Sequence, residues 1–132
     1  MANSNFVPPN TRDLAAVITQ TGATSGATSA DLINYIGRGA NIVLNVTTLT
    51  GTSPTVSLQL QGKDAASGVY YNIGSASGTL TTTGTLVLQI YPGLTSGTNV
   101  INAALPRTFR VQTVTGGTVT AFSCTVGVSV IV

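Results

Sequence analysis

The residues Val56-Ser57-Leu58-Gln59-Leu60-Gln61 alternate strictly between apolar and polar side chains. A period of two places every second side chain on one face of a β-strand, and a helix does not read that way. The pattern recurs along the chain. In the closing stretch Phe122, Cys124, Val126, Val128, Val130 and Val132 share one face, while Ser123, Thr125, Gly127 and Ser129 share the other. Leu86, Leu88 and Ile90 line one face of a further run, and Phe109 and Val111 point inward between the outward Arg110 and Gln112. The chain carries 23 Thr but only one Lys and no Glu. Thr is β-branched and suits a pleated, half-exposed surface, while the residues that usually clothe a helix are nearly missing. The expected class is all-β.

Turn and loop signals divide the strands. The Gly51-Thr52-Ser53-Pro54 segment and the Gly116-Gly117 pair have turn composition, as does Lys63 to Gly68 between the alternating strand and the aromatic Val69-Tyr70-Tyr71-Asn72-Ile73. Leu14 to Thr19 reads as a first strand, Thr21 to Ser29 as a flexible loop and Asp31 to Ile36 as an edge segment. Ile42 to Leu49 is the strongest strand, Thr79 to Thr83 a Thr-rich one, and Pro92 to Pro106 a long connection of the kind that tends to be functional. About eight strands at short spacing predict a single-domain antiparallel β-sandwich, jelly-roll-like, over residues 13–132. Residues 1–12 read as an extended N-terminal arm, since Pro8-Pro9 disfavours helix and ladder bonding alike. The strand from Thr55 to Gln61 is expected to bury one face and leave the other wet or facing a partner.

Chemistry has little to work with. Without His, the commonest general base and metal ligand is missing, and neither a Ser nor the lone Cys124 has a partner to activate it. Asp13, Asp31 and Asp64 are far apart in sequence. Arg12-Asp13 reads as a local ion pair and Lys63-Asp64 as turn chemistry, so a paired-carboxylate hydrolase is not expected. Gly37-Arg38-Gly39 is too short for a phosphate loop. Charged residues make up 6 % of the chain, and the five cations are scattered, so the net charge of +2 is not a nucleic-acid footprint. No apolar run is long enough for a membrane helix, and the scattered aromatics do not form the girdles of a membrane barrel. The opening residues lack a secretory signal, and Cys124 reads as a small buried hydrophobe. A reducing compartment of synthesis is therefore expected. No cofactor, metal, nucleic acid, membrane or small-molecule substrate is expected. A surface this poor in charge repels its neighbours weakly and favours association.

A set of short segments adds a resemblance. Val43-Leu44-Asn45-Val46-Thr47, Leu60-Gln61-Gly62-Lys63-Asp64, Ser67-Gly68-Val69-Tyr70-Tyr71, Tyr91-Pro92-Gly93-Leu94 and Leu105-Pro106-Arg107-Thr108-Phe109-Arg110-Val111 occur in this order, with Val126-Gly127-Val128-Ser129 closing the series. Over roughly residues 40–132 they resemble a family of small β-rich proteins of tailed bacteriophages and prophages. The resemblance implies a virion structural protein made in the bacterial host cytoplasm.

Small sandwiches of this size are similar to the decoration (cement) proteins of phage heads, which sit on the outer surface of the shell, often as trimers. The expected partners are then the major capsid protein and further copies of the chain. The expected contact residues are Pro8, Pro9, Arg12, Lys63, Asp64, Tyr70, Arg107 and Arg110, together with the Pro92–Pro106 loop. A neck, tail or fibre component is the second reading. A host-surface or carbohydrate-binding module with Tyr70, Tyr71 and Tyr91 as a stacking platform is the third.

Overall fold

The computed structural model describes residues 13–132. The expected arm, and with it Pro8, Pro9 and Arg12, lies outside the described residues. These residues form strands without a helix, in one seven-stranded sheet. Two strands are far longer than the rest: β3 (Gly39–Lys63) and β7 (Thr108–Ile131). They pair antiparallel from Gly39↔Ile131 to Gly62↔Phe109. The others flank this ribbon: β1 (Asp13–Ala23) and β2 (Leu32–Ile33) on β7, β4 (Tyr70–Asn72) and β5 (Gly84–Ile90) on β3, with β6 (Val100–Ile101) parallel beside β5.

The ribbon doubles back on itself. Drawn straight, β7 would be roughly 75 Å long. Yet the Asn34 N–H donates to the Arg107 carbonyl at its start (2.7 Å), and the Arg38 N–H donates to the Ile131 carbonyl at its end (2.8 Å). Five consecutive residues cannot bridge more than about 15 Å. The flanking chain gives the same result. Ala23 pairs with Phe122 and Ala27 bonds Thr113, so the outer segment uses fewer than half as many residues as β7 does to cover the same stretch. β3 is flanked the same way: Gly84 pairs with Val46, and Leu80 with Val56. The ribbon takes the long way round a bend while its neighbours cut the corner.

The bend sits where the sequence suggests turns. Gly51–Pro54 and Gly116-Gly117 lie opposite each other inside the two long strands and do not end them. Register shifts fall between Thr50 and Gly51 and between Thr52 and Thr55. Extra residues of this kind bend a strand and increase its twist. Ser53 (φ 48°) and Gly117 (φ 67°) occupy the left-handed region. A Cβ on Gly117 would lie 2.1 Å from the Ser53 carbonyl oxygen, so glycine is required there.

One core fills the space inside the bend. Ile42, Leu44 and Val46 from the first half of β3 join Leu58 and Leu60 from the second. Phe109 and Val111 join Phe122, Val126 and Val128 from the two halves of β7. A polar clip ties the halves at the corner. Buried Thr113 donates its hydroxyl to Gln20 Oε1 (2.8 Å) and accepts the Ala27 N–H (2.8 Å). Gln20 in turn donates to the Ser25 carbonyl, 2.8 Å away. Cys124 packs beside Gln20, and burial pushes its thiol up to about 11.

Several expectations need correction. Thr79–Thr83 is not a strand; only Leu80 bridges to Val56. Thr21–Ser29 is not a free loop, because β1 continues to Ala23 and Ala27 and Ser29 bond β7. Val132, expected on the inner face, is exposed past the end of β7. Ser57 and Gln59, expected on a wet face, are buried. The chain after β4 explains this. It runs along the edge of β3, bonding Leu60 through Ile73, Leu58 through Ser77 and Val56 through Leu80, and Gln59 Nε2 reaches the Gly74 carbonyl.

Candidate functional site

Strand register assembles the charged residues. On the second half of the ribbon, Phe109, Val111, Leu58 and Leu60 face the core, so Arg110, Gln112, Gln61 and Lys63 face outward, and Gln59, on the same side, is covered by the segment at Gly74. Gln61 pairs across the ribbon with Arg110 and across the edge with Asn72, and Lys63 pairs with Tyr70. On the far side Leu32 pairs with Phe109, which brings Asp31 alongside Arg110. Four segments distant in sequence thus contribute to one outer face.

The side chains interlock. Lys63 Nζ lies 3.0 Å from Asp31 Oδ2, and the Tyr70 hydroxyl donates to Asp31 Oδ1 at 2.6 Å. The Arg110 guanidinium lies over the Tyr70 ring, 3.4 Å from its centroid, and Lys63 Nζ is 5.4 Å from the same point. Arg110 Nε donates to Gln61 Oε1 (2.8 Å), and Gln61 Nε2 donates to Asn72 Oδ1 (2.8 Å). Next to this row Gln112 Nε2 donates to Thr28 Oγ1. The Tyr70 hydroxyl, and after it the Lys63 ammonium, holds the Asp31 carboxyl below its ordinary range. Asp31 raises Lys63 in return.

Both partners therefore stay charged. That makes an ion pair, and it works against amide formation between them, which needs a neutral amine. Lys63 and Asp31 are each about one-third exposed (33 % and 32 %), so the pair is screened and contributes little to stability by itself.

The expected contact residues divide on this geometry. Lys63, Tyr70 and Arg110 meet in the cluster. Asp64 does not join Lys63 in it. It shapes the turn instead, accepting the Ser67 hydroxyl (2.6 Å) and the Ser67 N–H (3.1 Å), which hold its carboxyl low. Arg107 stands apart on the approach to β7, with its carbonyl taken by Asn34. Asp31 and Asn72 are the members that sequence reasoning misses, and Gln61 is expected only as part of a wet or partner-facing strand face. Gln61 and Lys63 share a parity within one strand, which signals a common face, but nothing local marks Asp31 as their neighbour.

The tyrosines do not form one platform. Tyr70 lies on the outer face beneath Arg110. Tyr71, its neighbour in the strand, turns the other way, and its ring fills the space a side chain on Gly62 would need. Tyr91 sits against Gly39 at the start of β3. A hollow of about 450 Å³ beside β6 is lined by small and neutral residues, among them Gly74, Leu88, Val100 and Ala103. Its Asn99 and Asn102 side-chain carbonyls are already taken by the Gly78 and Gly93 N–H groups. It offers no ionisable group for catalysis. Among the described residues no cluster of His, Cys, Asp or Glu could hold a metal.

Comparison with family models, with curated proteins and with solved structures gave no match.

Proposed function

We propose that this chain is a non-enzymatic structural protein of a bacteriophage virion. It decorates the outer surface of the head and braces the shell by bridging major capsid protein subunits. The observation that carries the reading is the character of the surface. Tyr35, Val69 and Val132 are more than half exposed (60 %, 59 % and 56 %), and Ile33, Ile36, Tyr71, Val87 and Val114 are also open to solvent, on a chain with 6 % charged residues. Such a surface carries apolar side chains a partner could cover and is weakly repelled by its neighbours. The segment resemblance points in the same direction.

The doubled-back ribbon and its single core suit a two-layer, jelly-roll-like sandwich, a rigid body that can be repeated over a lattice. Self-association as a trimer would set several weak contacts on the shell at once, and effective concentration then multiplies them. The tyrosine geometry weighs against a stacking platform for sugars. A neck, tail or fibre component remains the second reading, because it uses the same kind of surface at fewer positions.

Copy number separates the readings. Quantitative mass spectrometry of purified virions, referenced to the main shell subunit, is expected to give a number comparable with that subunit. A handful of copies would move the protein to the neck or tail. Absence from the particle would overturn the reading.

A further inference from the structure

We infer that the outer face of the second half of the ribbon is a docking surface for a protein partner, with Arg110 as the anchor for a partner carboxylate. The inference deepens the structural-protein reading and rests on it for the partner's identity. Three observations carry it.

The first is orientation. The guanidinium is fixed on both sides: its plane rests on the Tyr70 ring and its Nε is committed to Gln61. Tyr70 is itself fixed by Asp31, and Asp31 by Lys63. Little side-chain freedom remains to be lost on binding, and preorganisation of this kind favours affinity.

The second is unused capacity. Arginine carries five N–H donors in a planar fork that matches a carboxylate with two parallel bonds. Only Nε has a hydrogen-bond partner among the described residues, so both terminal nitrogens are available.

The third is the surroundings. Lys63 and Arg110 both act on the one carboxylate of Asp31, which leaves the cluster one positive charge in excess on a face otherwise made mainly of amides and hydroxyls. One charge of this kind suits a single acidic side chain. A nucleic-acid backbone is met by an array of cations, which this face lacks. Exposed Val114 on β7 and Ile33 on the adjoining β2 supply apolar area at the margins. A tyrosine and an arginine at the centre match the residue types that dominate binding energy in protein interfaces.

Two measurements test this. In the first, the full chain is titrated with a blocked glutamate peptide, with inorganic phosphate and with a short DNA oligomer, while the Arg110 Nε–H and Tyr70 ring resonances are followed by NMR. Saturable shifts with the glutamate peptide are expected. The Tyr70 ring shifts should be lost in Arg110→Lys, which keeps the charge but not the fork. Backbone amide resonances that stay in place away from residue 110 exclude unfolding as the cause. No shift with the peptide, or tighter binding of the DNA oligomer, would overturn the inference.

In the second, Arg110→Lys and Tyr70→Phe are bound to purified heads lacking the protein. About a tenfold loss is expected for Arg110→Lys. A smaller loss is expected for Tyr70→Phe, which keeps the ring but frees it from Asp31. Wild-type binding that Arg110→Lys leaves unchanged would sink the anchor and spare the decoration reading. Peptide shifts without any head binding would do the reverse.

Discussion

The two halves of the long ribbon present their inner faces to the same core, but their outer faces are unlike. On the first half the outward pairs across β3 and β7 are Asn41 with Ser129, Val43 with Gly127 and Asn45 with Thr125. On the second they are Ser57 with Val114, Gln59 with Gln112 and Gln61 with Arg110. The backbone pairing is the same, and so is the inward alternation of Leu, Val and Ile. Short side chains on the first face make local contacts, the Thr85 hydroxyl donating to Asn45 Oδ1 across the strands at 3.4 Å. On the second, Arg110 bonds Gln61, Gln61 bonds Asn72 and Gln112 reaches Thr28, and cross-strand contact is the unit that stabilises a sheet surface. The inner pattern thus builds the fold, while the outer pattern of one half supplies the only interlocked polar cluster involving Lys or Arg among the described residues.

The sharpest way to break this comparison is to ask whether the halves are one cooperative unit. Leu44→Ala removes a buried side chain from the first half, and Phe109→Ala removes one from the second. Each is expected to cost about 3–5 kcal/mol, through lost transfer energy and the cavity left behind. Urea unfolding followed by far-UV circular dichroism and by tyrosine fluorescence should give one shared transition in both variants, because the cluster spans the bend. Two separate transitions would mean that each half has its own core, and the comparison would then be between two domains.

The bend itself comes next in size. Gly117→Ala places a Cβ against the Ser53 carbonyl and forces a non-glycine residue to a φ of 67°. The expected cost is about 2–3 kcal/mol from conformation and overlap together. Gly68, at a φ of 75° in the Lys63 turn, has nothing within 4 Å of its would-be Cβ. Gly68→Ala should cost only about 1 kcal/mol. Equal losses in chemical denaturation would mean that the close approach of the two strands at the bend is not what demands glycine there.

These two glycines also mark how far the sequence can be read. Alternation in Val56–Gln61 and in Phe122–Val130 names the inward residues correctly, because parity is a local property of a strand. The same residues give no hint that Gly116-Gly117 continues a strand. Turn and bulge ask the same thing of a backbone, a positive φ, and only the partner strand decides between them. Ser57 and Gln59 fail for a related reason: their cover comes from the segment around Gly74 and Ser77, which is irregular and carries no pattern. In the site, Lys63, Tyr70 and Arg110 are legible as outward polar residues on neighbouring strands. Asp31 is not, because its place beside Arg110 depends on Leu32 pairing with Phe109, a contact across most of the chain.

The smallest expected effect tests whether the cluster on the second face holds together in solution. Asp31 has a carboxyl held below its ordinary 3.8 by Tyr70 and Lys63. A lowered native value means that the unfolded chain takes up the proton first as pH falls. The stabilisation is then complete above about pH 4 and is lost as pH drops through the native value. Lys63 works at the other end: its raised value keeps its share intact below 10.5 and loses it only in stronger alkali. Thermal midpoints measured from about pH 7 down to about pH 2.5 should therefore fall less steeply in Asp31→Asn than in the wild type, with the two curves converging at the acid end. Asp64 is held low by Ser67 within its own turn, so Asp64→Asn removes a separate part of the acid limb and leaves the Asp31 part in place. Additive flattening in the double variant fits two independent carboxylates. If Asp31→Asn instead ran parallel to the wild type throughout, Asp31 would not be fixing Tyr70 in solution. The guanidinium of Arg110 would then rest on a mobile ring, and the outer face of the second half would be no better organised than that of the first.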